Sequence, residues 1–185
     1  DMQIYNSFTP EVVALLKAGK IGVIPSDTTY GVVASLFNEE AVERIYVVKR
    51  RALDKRVGTT LITDTTDLKA YVSPEELNAA KDFWPGPVSI ELFVGDNFVY
   101  AHRGHQTLAF RVPDNQQVMS LLKQTGPLAT SSANIAEEKP ADNLGEAIEY
   151  FGETVDFYVD GGDLSHRQPS RIIKIINGNV EEIRS

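Results

Sequence analysis

Eight consecutive residues, Lys49-Arg50-Arg51-Ala52-Leu53-Asp54-Lys55-Arg56, hold five cations. Several cations in one loop are what a bound triphosphate requires, because its charge must be offset before phosphoryl chemistry proceeds. The same run also reads as a solvated helix end laced with salt bridges, and composition alone leaves both readings open. Four turns carry polar residues where strands are expected to end: Ser26-Asp27-Thr28-Thr29-Tyr30-Gly31, Arg111-Val112-Pro113, Ser131-Ser132-Ala133-Asn134 and Asp160-Gly161-Gly162-Asp163. They read as strand-to-helix junctions. In open α/β sheets such junctions meet in one ligand cleft, although Asp, Asn, Ser and Gly also simply make turns. No phosphate loop of the G-x-x-x-x-G-K-S/T or G-x-G-x-x-G type is present, and neither H-E-x-x-H nor G-x-S-x-G occurs. A nucleotide site must therefore be built from side chains and strand-end loops. His102 and His105 have the spacing of a metal pair but no third ligand nearby in sequence, and read as surface-loop histidines. Trp84-Pro85-Gly86-Pro87 reads as a structural seal at the edge of the core.

The elements that must position these groups follow from pattern. The chain has 185 residues, 42% hydrophobic and 24% charged, enough for one core and one domain spanning residues 1–185. Thr9-Pro10-Glu11 opens a helix that Gly19 ends. Ile21 to Ile24 is a strand. Asn38 caps a helix whose apolar side is Ala41, Val42, Ile45 and Val48 and whose end delivers the cationic run. Strands are expected at Thr59–Thr63, Val88–Val94, Thr107–Val112, Leu128–Ser131 and Val155–Val159. Further helices are expected from Ser73 toward Trp84, from Asp114 or Gln117 through Leu122, and from Asp142 or Asn143 through Tyr150. Ile172–Ile176 and Val180–Ile183 form a hairpin on Asn177-Gly178. The fold class is α/β: a twisted open sheet of mixed parallel and antiparallel strands with flanking helices.

Composition removes other classes. There is no cysteine, which excludes disulfides, thiolate catalysis and Cys-ligated zinc. Lys and Arg total 18 against 26 Asp and Glu, a formal charge of -8, which argues against broad non-specific nucleic-acid binding. No apolar run reaches the roughly 18 residues of a membrane span. No signal peptide is visible and Met2 reads as the natural start, so a cytoplasmic location and no membrane partner are expected.

Taken together the motifs resemble the YrdC-like threonylcarbamoyl-AMP synthase family. The matching segments are Ile24-Pro25-Ser26-Asp27-Thr28-Thr29-Tyr30-Gly31, Lys49-Arg50-Arg51 with Lys55, Phe83-Trp84-Pro85-Gly86-Pro87, Ala109-Phe110-Arg111-Val112-Pro113, Ser132-Ala133-Asn134, Asp160-Gly161-Gly162 and Pro169-Ser170. They run in order along nearly the whole chain. The resemblance implies synthesis of L-threonylcarbamoyl-AMP and pyrophosphate from L-threonine, bicarbonate and ATP, the first step of tRNA t6A modification, and a fold with a large concave cavity. It implies Lys49 and Arg51 as catalytic residues. Thr28, Arg111, Ser132, Ser170 and Thr60 fall at threonine contacts. Arg51, Lys55, Thr107, Asn134, Asp142 and Arg184 fall at ATP contacts. No protein metal ligand is implied; Mg2+ is expected on the phosphates.

Chemically, the Arg111 fork suits a carboxylate, and no side-chain nucleophile is required. Downstream threonylcarbamoyl transferase proteins, and tRNA as a candidate, are the expected partners. The chain departs from the family pattern in several places. Ile135-Ala136-Glu137 follows the Ser-x-Asn motif where x-Ser-Gly is usual, and Asp142 replaces Ser or Thr. Arg50, Ala52 and Arg56 replace small residues or proline, and Arg171 replaces Thr or Glu. The chain ends just after Arg184, so the C-terminal domain of longer relatives is not expected. Two rival readings are a non-catalytic YrdC-like RNA-binding module, testable by salt-dependent RNA binding without nucleotide binding, and a carbamoyl-phosphate-handling domain.

Overall fold

The computed structural model describes residues 2–184. In chain order the elements are β1 (Ile4–Tyr5), α1 (Pro10–Lys17), β2 (Gly22–Ile24), β3 (Gly31–Ser35), α2 (Glu39–Lys49), β4 (Thr60–Leu61), α3 (Pro74–Ala80), β5 (Val88–Phe93), α4 (Val99–His102), β6 (Thr107–Arg111), α5 (Gln116–Thr125), β7 (Leu128–Ser132), α6 (Leu144–Phe151), β8 (Phe157–Val159), β9 (Arg171–Ile176) and β10 (Asn179–Arg184). The caps explain the helix starts. Thr9, Asn38, Ser73, Asn115 and Asn143 each accept a backbone N–H of the first turn through a side-chain oxygen. The expected start of α5 at Asp114 or Gln117 is corrected to Asn115. For α6 the structure selects Asn143, leaving Asp142 just outside the helix.

Among the described residues the strands form one sheet in the order β1-β8-β2-β3-β7-β4-β6-β5-β9-β10. It is mixed: β4–β6, β5–β9 and β2–β8 are parallel, whereas β2–β3, β3–β7, β5–β6 and β9–β10 are antiparallel. The hairpin turns on Asn177 and Gly178, both at positive φ as a two-residue turn of this hand requires. No helix of the described residues is long and apolar enough to cross a membrane.

Two expectations change. The polar segment 25–30 does not lead into a helix; it joins β2 to the antiparallel β3, a strand the pattern did not reveal. The turn after β8 likewise runs on through a loop to β9. His102 is buried rather than on a surface loop, with Nδ1 accepting the backbone N–H groups of Gly104 and Gln106.

Alternation along the strands divides the core in two. One face (Val32, Ala34, Ile90, Leu92, Leu108, Phe110, Ala129, Ile173) packs on α2, α3 and α6. The other face carries Ile24, Val33, Leu61, Leu128 and Phe157, which pack against Val12 and Leu16 of α1 and Val118, Leu121 and Leu122 of α5. Each such aliphatic side chain contributes about 1.5–3 kcal/mol by burial. This second layer is the smaller one. Beside it Leu61, Ala109, Arg111, Thr130 and Ile172 line a cleft instead of a helix contact.

Candidate active site

The cleft has a volume of about 550 Å³, within the range of small-molecule sites. β5 and β6 run antiparallel beneath it, with Glu91 opposite Ala109 and Phe93 opposite Thr107. Period-two alternation puts Arg111, Ala109 and Thr107 of β6, with Ser89 and Glu91 of β5, on the sheet face that the cleft occupies, and of these Arg111, Ala109 and Glu91 line it. The Arg111–Ser89 end is buried and is called the closed end; the Thr107 end, half-buried, is called the open one.

At the closed end Thr28, Arg111 and Ser170 are all buried and all line the cleft. Arg111 donates through Nη1 to Asp27 and through Nη2 to Thr28 Oγ1 at 3.3 Å, while its buried Nε has no protein partner. Thr28 Oγ1 also shares a hydrogen bond with Ser26 Oγ at 3.1 Å. Ser170 Oγ meets Ser89 Oγ at 2.7 Å, and Ser89 Oγ meets Thr59 Oγ1 at 2.8 Å, forming a chain of three hydroxyls. Three loops are drawn together to make this end. Tyr30 Oη accepts from Gly161 N and donates to Gly162 O, both at 2.8 Å. A Cβ on Gly161 would lie 2.4 Å from Pro25, so only glycine allows that approach. Arg167 donates to Ser26 O, and Arg184 donates to Ser170 O through Nε and Nη2 at 3.1 and 2.7 Å.

The open end is made by the loop after α2. Arg50 adopts a left-handed conformation that ends the helix. The loop is then pinned by Tyr46 Oη donating to Lys55 O at 2.6 Å, Val57 N donating to Ala101 O at 2.9 Å, and His105 Nε2 within 2.8 Å of Asp54 O. It runs tightly against β7, where a Cβ on Gly58 would lie 2.5 Å from Thr130 O. Arg51, Lys55 and Arg56 line the cleft there. Arg51 donates through Nε and Nη2 to Arg56 O at 3.1 and 2.5 Å, and burial lowers its pKa.

Lys49 sits behind the Ser-x-Asn turn. It is 2% exposed, and its Nζ donates to Ser131 Oγ at 2.6 Å, Ser132 O at 2.5 Å, and Ser132 Oγ and Asn134 Oδ1 at 3.4 Å. Burial first, and the neighbouring Arg51 charge second, lower its pKa from 10.5 to about 7. No carboxylate compensates it; all four partners are neutral. Lys49 thus couples α2 to the turn carrying Ser132 and Asn134.

The structure brings Thr28, Arg51, Lys55, Arg111, Ser132, Ser170 and Arg184 to one cleft. The implied contacts Thr60, Thr107, Asn134, Asp142 and Lys49 are not on its wall. Thr60 pairs with Phe110 and Ala129 and faces the helix-covered side of the sheet, a correction to its place at a threonine contact. Thr107 Oγ1 accepts from Arg56. Asn134 has its amide committed: Nδ2 donates to Ile135 O and Glu138 O at 3.1 and 2.9 Å, and Oδ1 accepts from Ser132 Oγ at 2.5 Å. Asp142 pairs with Lys139 at 2.6 Å on the surface. Sequence reasoning did not single out Asp27, Ser89 or Glu91 as site residues. Ser89 and Glu91 occupy the polar positions of an alternating strand, and that is their only local signal.

Comparison with known proteins identifies the family and the fold. The family model for Sua5/YciO/YrdC, described as telomere recombination, matches residues 14–185. The threonylcarbamoyl-AMP synthase of Marinobacter nauticus is 33% identical over 168 residues, covering 87% of this chain and 87% of its own. The structure of P. abyssi Sua5 complexed with L-threonine superposes with a TM-score of 0.86 at 25% identity; the match covers all of this chain but 57% of that one. E. coli YciO shares the fold, with a TM-score of 0.83 at 20% identity, covering 100% of this chain and 95% of its own.

Proposed function

The chain belongs to the Sua5/YciO/YrdC family, and from that premise we propose that it is an ATP-dependent L-threonylcarbamoyl-AMP synthase. The carrying observation is one cleft with a buried, hydrogen-bonded end that suits an amino acid and a more exposed cationic end that suits a triphosphate.

In this reading threonine binds at the closed end, its polar groups meeting Thr28, Ser170 and the free Nε of Arg111. Condensation of its amine with bicarbonate gives the N-carboxylate and water. A carboxylate oxygen of that carbamate attacks the α-phosphorus of ATP. The bond between the α-phosphorus and the bridging oxygen breaks, and pyrophosphate leaves with the electron pair. The protein's contribution is position and charge. Arg51 and Lys55 offset the phosphates, and Lys49 and Asn134 hold the Ser132 turn in register. Among the described residues no group of three or more His, Cys, Asp or Glu could hold a metal ion, so Mg2+ is read as entering with the ATP phosphates. The product, a mixed carbamic–phosphoric anhydride, requires an acyl-accepting transferase next, and tRNA is the proposed final acceptor.

Incubation with threonine, bicarbonate, ATP and Mg2+ should release pyrophosphate only when threonine is present. Release that ignores threonine, or none from folded protein, sinks the reading.

A further inference from the structure

The open end of the cleft contains a carboxylate where a polyanion is expected. Glu91 lines the cleft beside Lys55 and Arg51, and an unpaired carboxylate there would repel a triphosphate. Its Oε1 instead accepts from Arg56 Nη2 at 2.6 Å, and the other terminal nitrogen of the same guanidinium, Nη1, donates to Thr107 Oγ1. Two adjacent strands, β5 and β6, thereby grip one guanidinium by its edge.

Two consequences follow. Glu91 compensates the charge of Arg56, so Arg56 is a weaker phosphate ligand than Lys55 or Arg51. The two edge bonds also fix the plane of the group, while the side chain remains 31% exposed and on the cleft wall. A planar, charge-compensated guanidinium held at its edge meets a ligand with its face, and such faces stack on aromatic rings. The aromatic ring among the proposed substrates is the base of the nucleotide. The carbonyl of the same residue holds Arg51, so one residue joins a base platform to a phosphate clamp.

We propose that Arg56 stacks on the nucleotide base and that Glu91 and Thr107 position it. The proposal rests on the reading of the cleft as an ATP site. It gives Thr107 a role through Arg56 rather than by direct contact. Because Arg56 departs from the resembled pattern, the platform is a property of this chain.

The test compares calorimetric binding of ATP and of inorganic tripolyphosphate to the full chain and to Arg56→Ala, Arg56→Lys and Glu91→Gln. Lysine keeps the charge and loses the plane. Stacking therefore predicts that Arg56→Lys weakens ATP about three- to fivefold while tripolyphosphate changes by less than about twofold, whereas Arg56→Ala, which also leaves Glu91 unpaired, weakens both. Glu91→Gln should also weaken ATP, although loss of a negative charge by itself would strengthen it. The proposal is overturned if Arg56→Lys binds ATP like the wild type, if Arg56→Lys weakens tripolyphosphate as much as ATP, or if Glu91→Gln tightens ATP. A wild-type chain that binds no ATP at all removes the synthase reading, and this proposal with it. ATP binding that Arg56→Lys leaves unchanged removes the platform alone.

Discussion

The two ends of the cleft are built on opposite plans. At the closed end the polar groups are buried and already bonded to protein: Arg111 to Asp27 and Thr28, Ser170 to Ser89. At the open end the cations stand on a loop that is pinned through its backbone while Lys55 remains exposed. A small amino acid is distinguished by fixed hydrogen bonds, which cost little reorganisation when the ligand arrives. A triphosphate is bound mostly by charge, which tolerates mobile side chains but weakens with salt. A like contrast separates a buried ion pair from a surface one: Arg111–Asp27 is buried, whereas Lys139–Asp142 lies on the surface.

The sharpest way to break the comparison is Arg111→Ala. It leaves Asp27 buried and unpaired, and breaking a buried pair costs about 3–5 kcal/mol. The urea midpoint should fall accordingly, and threonine-dependent turnover should be lost. Asp142→Asn, tested beside it, should move stability by no more than about 0.5 kcal/mol. Equal effects from the two would erase the distinction between the buried pair at the closed end and a surface pair outside the cleft.

Lys49 tests the boundary between them. Its folded pKa, about 7, lies below the 10.5 of the unfolded chain. Between those values the unfolded state binds more protons, so this residue's contribution to stability rises with pH, by up to about 1.4 kcal/mol per unit. Below about 7 both states are protonated and the contribution is flat, at its least favourable. Wild type should therefore gain stability relative to Lys49→Met as pH rises through this window, measured by urea unfolding of both. Wild-type ATP affinity should instead fall as pH rises through the folded value of about 7, where the ammonium loses its proton, and Lys49→Met should lack that dependence.

Arg51→Ala probes the open end alone. Activity should drop at least about tenfold, a loss above roughly 1.4 kcal/mol in the transition state. Raised salt should weaken ATP binding to the wild type more than to the variant. Stability should change little, because Arg51 holds only the carbonyl of Arg56 while other contacts pin the loop.

The legibility of the chain divides along the same line. Capped helices and the Asn177-Gly178 hairpin were readable because their signals are local. β3 was not, because Val32, Val33 and Ala34 are buried on both faces and show no alternation. α4 was not, because four residues carry no period. In the cleft, motif residues at Thr28, Arg51, Arg111 and Ser170 could be named from their neighbours. Their supports could not: Ser89 meets Ser170 across 81 residues, and Glu91 meets Arg56 across 35. A serine and a glutamate on the polar side of a half-buried strand look like solvent-facing positions until the sheet is assembled.

The smallest expected effect concerns the residue that falls outside both ends. Thr60 is flanked by Thr59 and Leu61, and both neighbours line the cleft. Strand alternation turns Thr60 the other way, toward Phe110 and Ala129, where it is fully buried and its hydroxyl has no hydrogen-bond partner. An unsatisfied buried hydroxyl is a cost that an isosteric methyl removes. Thr60→Val should therefore leave threonine kinetics unchanged and raise stability by about 1 kcal/mol, roughly 2–4 °C in melting temperature for a chain of this size. Thr59→Val, one residue away, cuts the hydroxyl chain to Ser89 and Ser170 and should raise the KM for threonine. If Thr60→Val raised that KM instead, the sheet would be presenting its other face to the substrate, and the division of the cleft into two ends would lose its geometric basis.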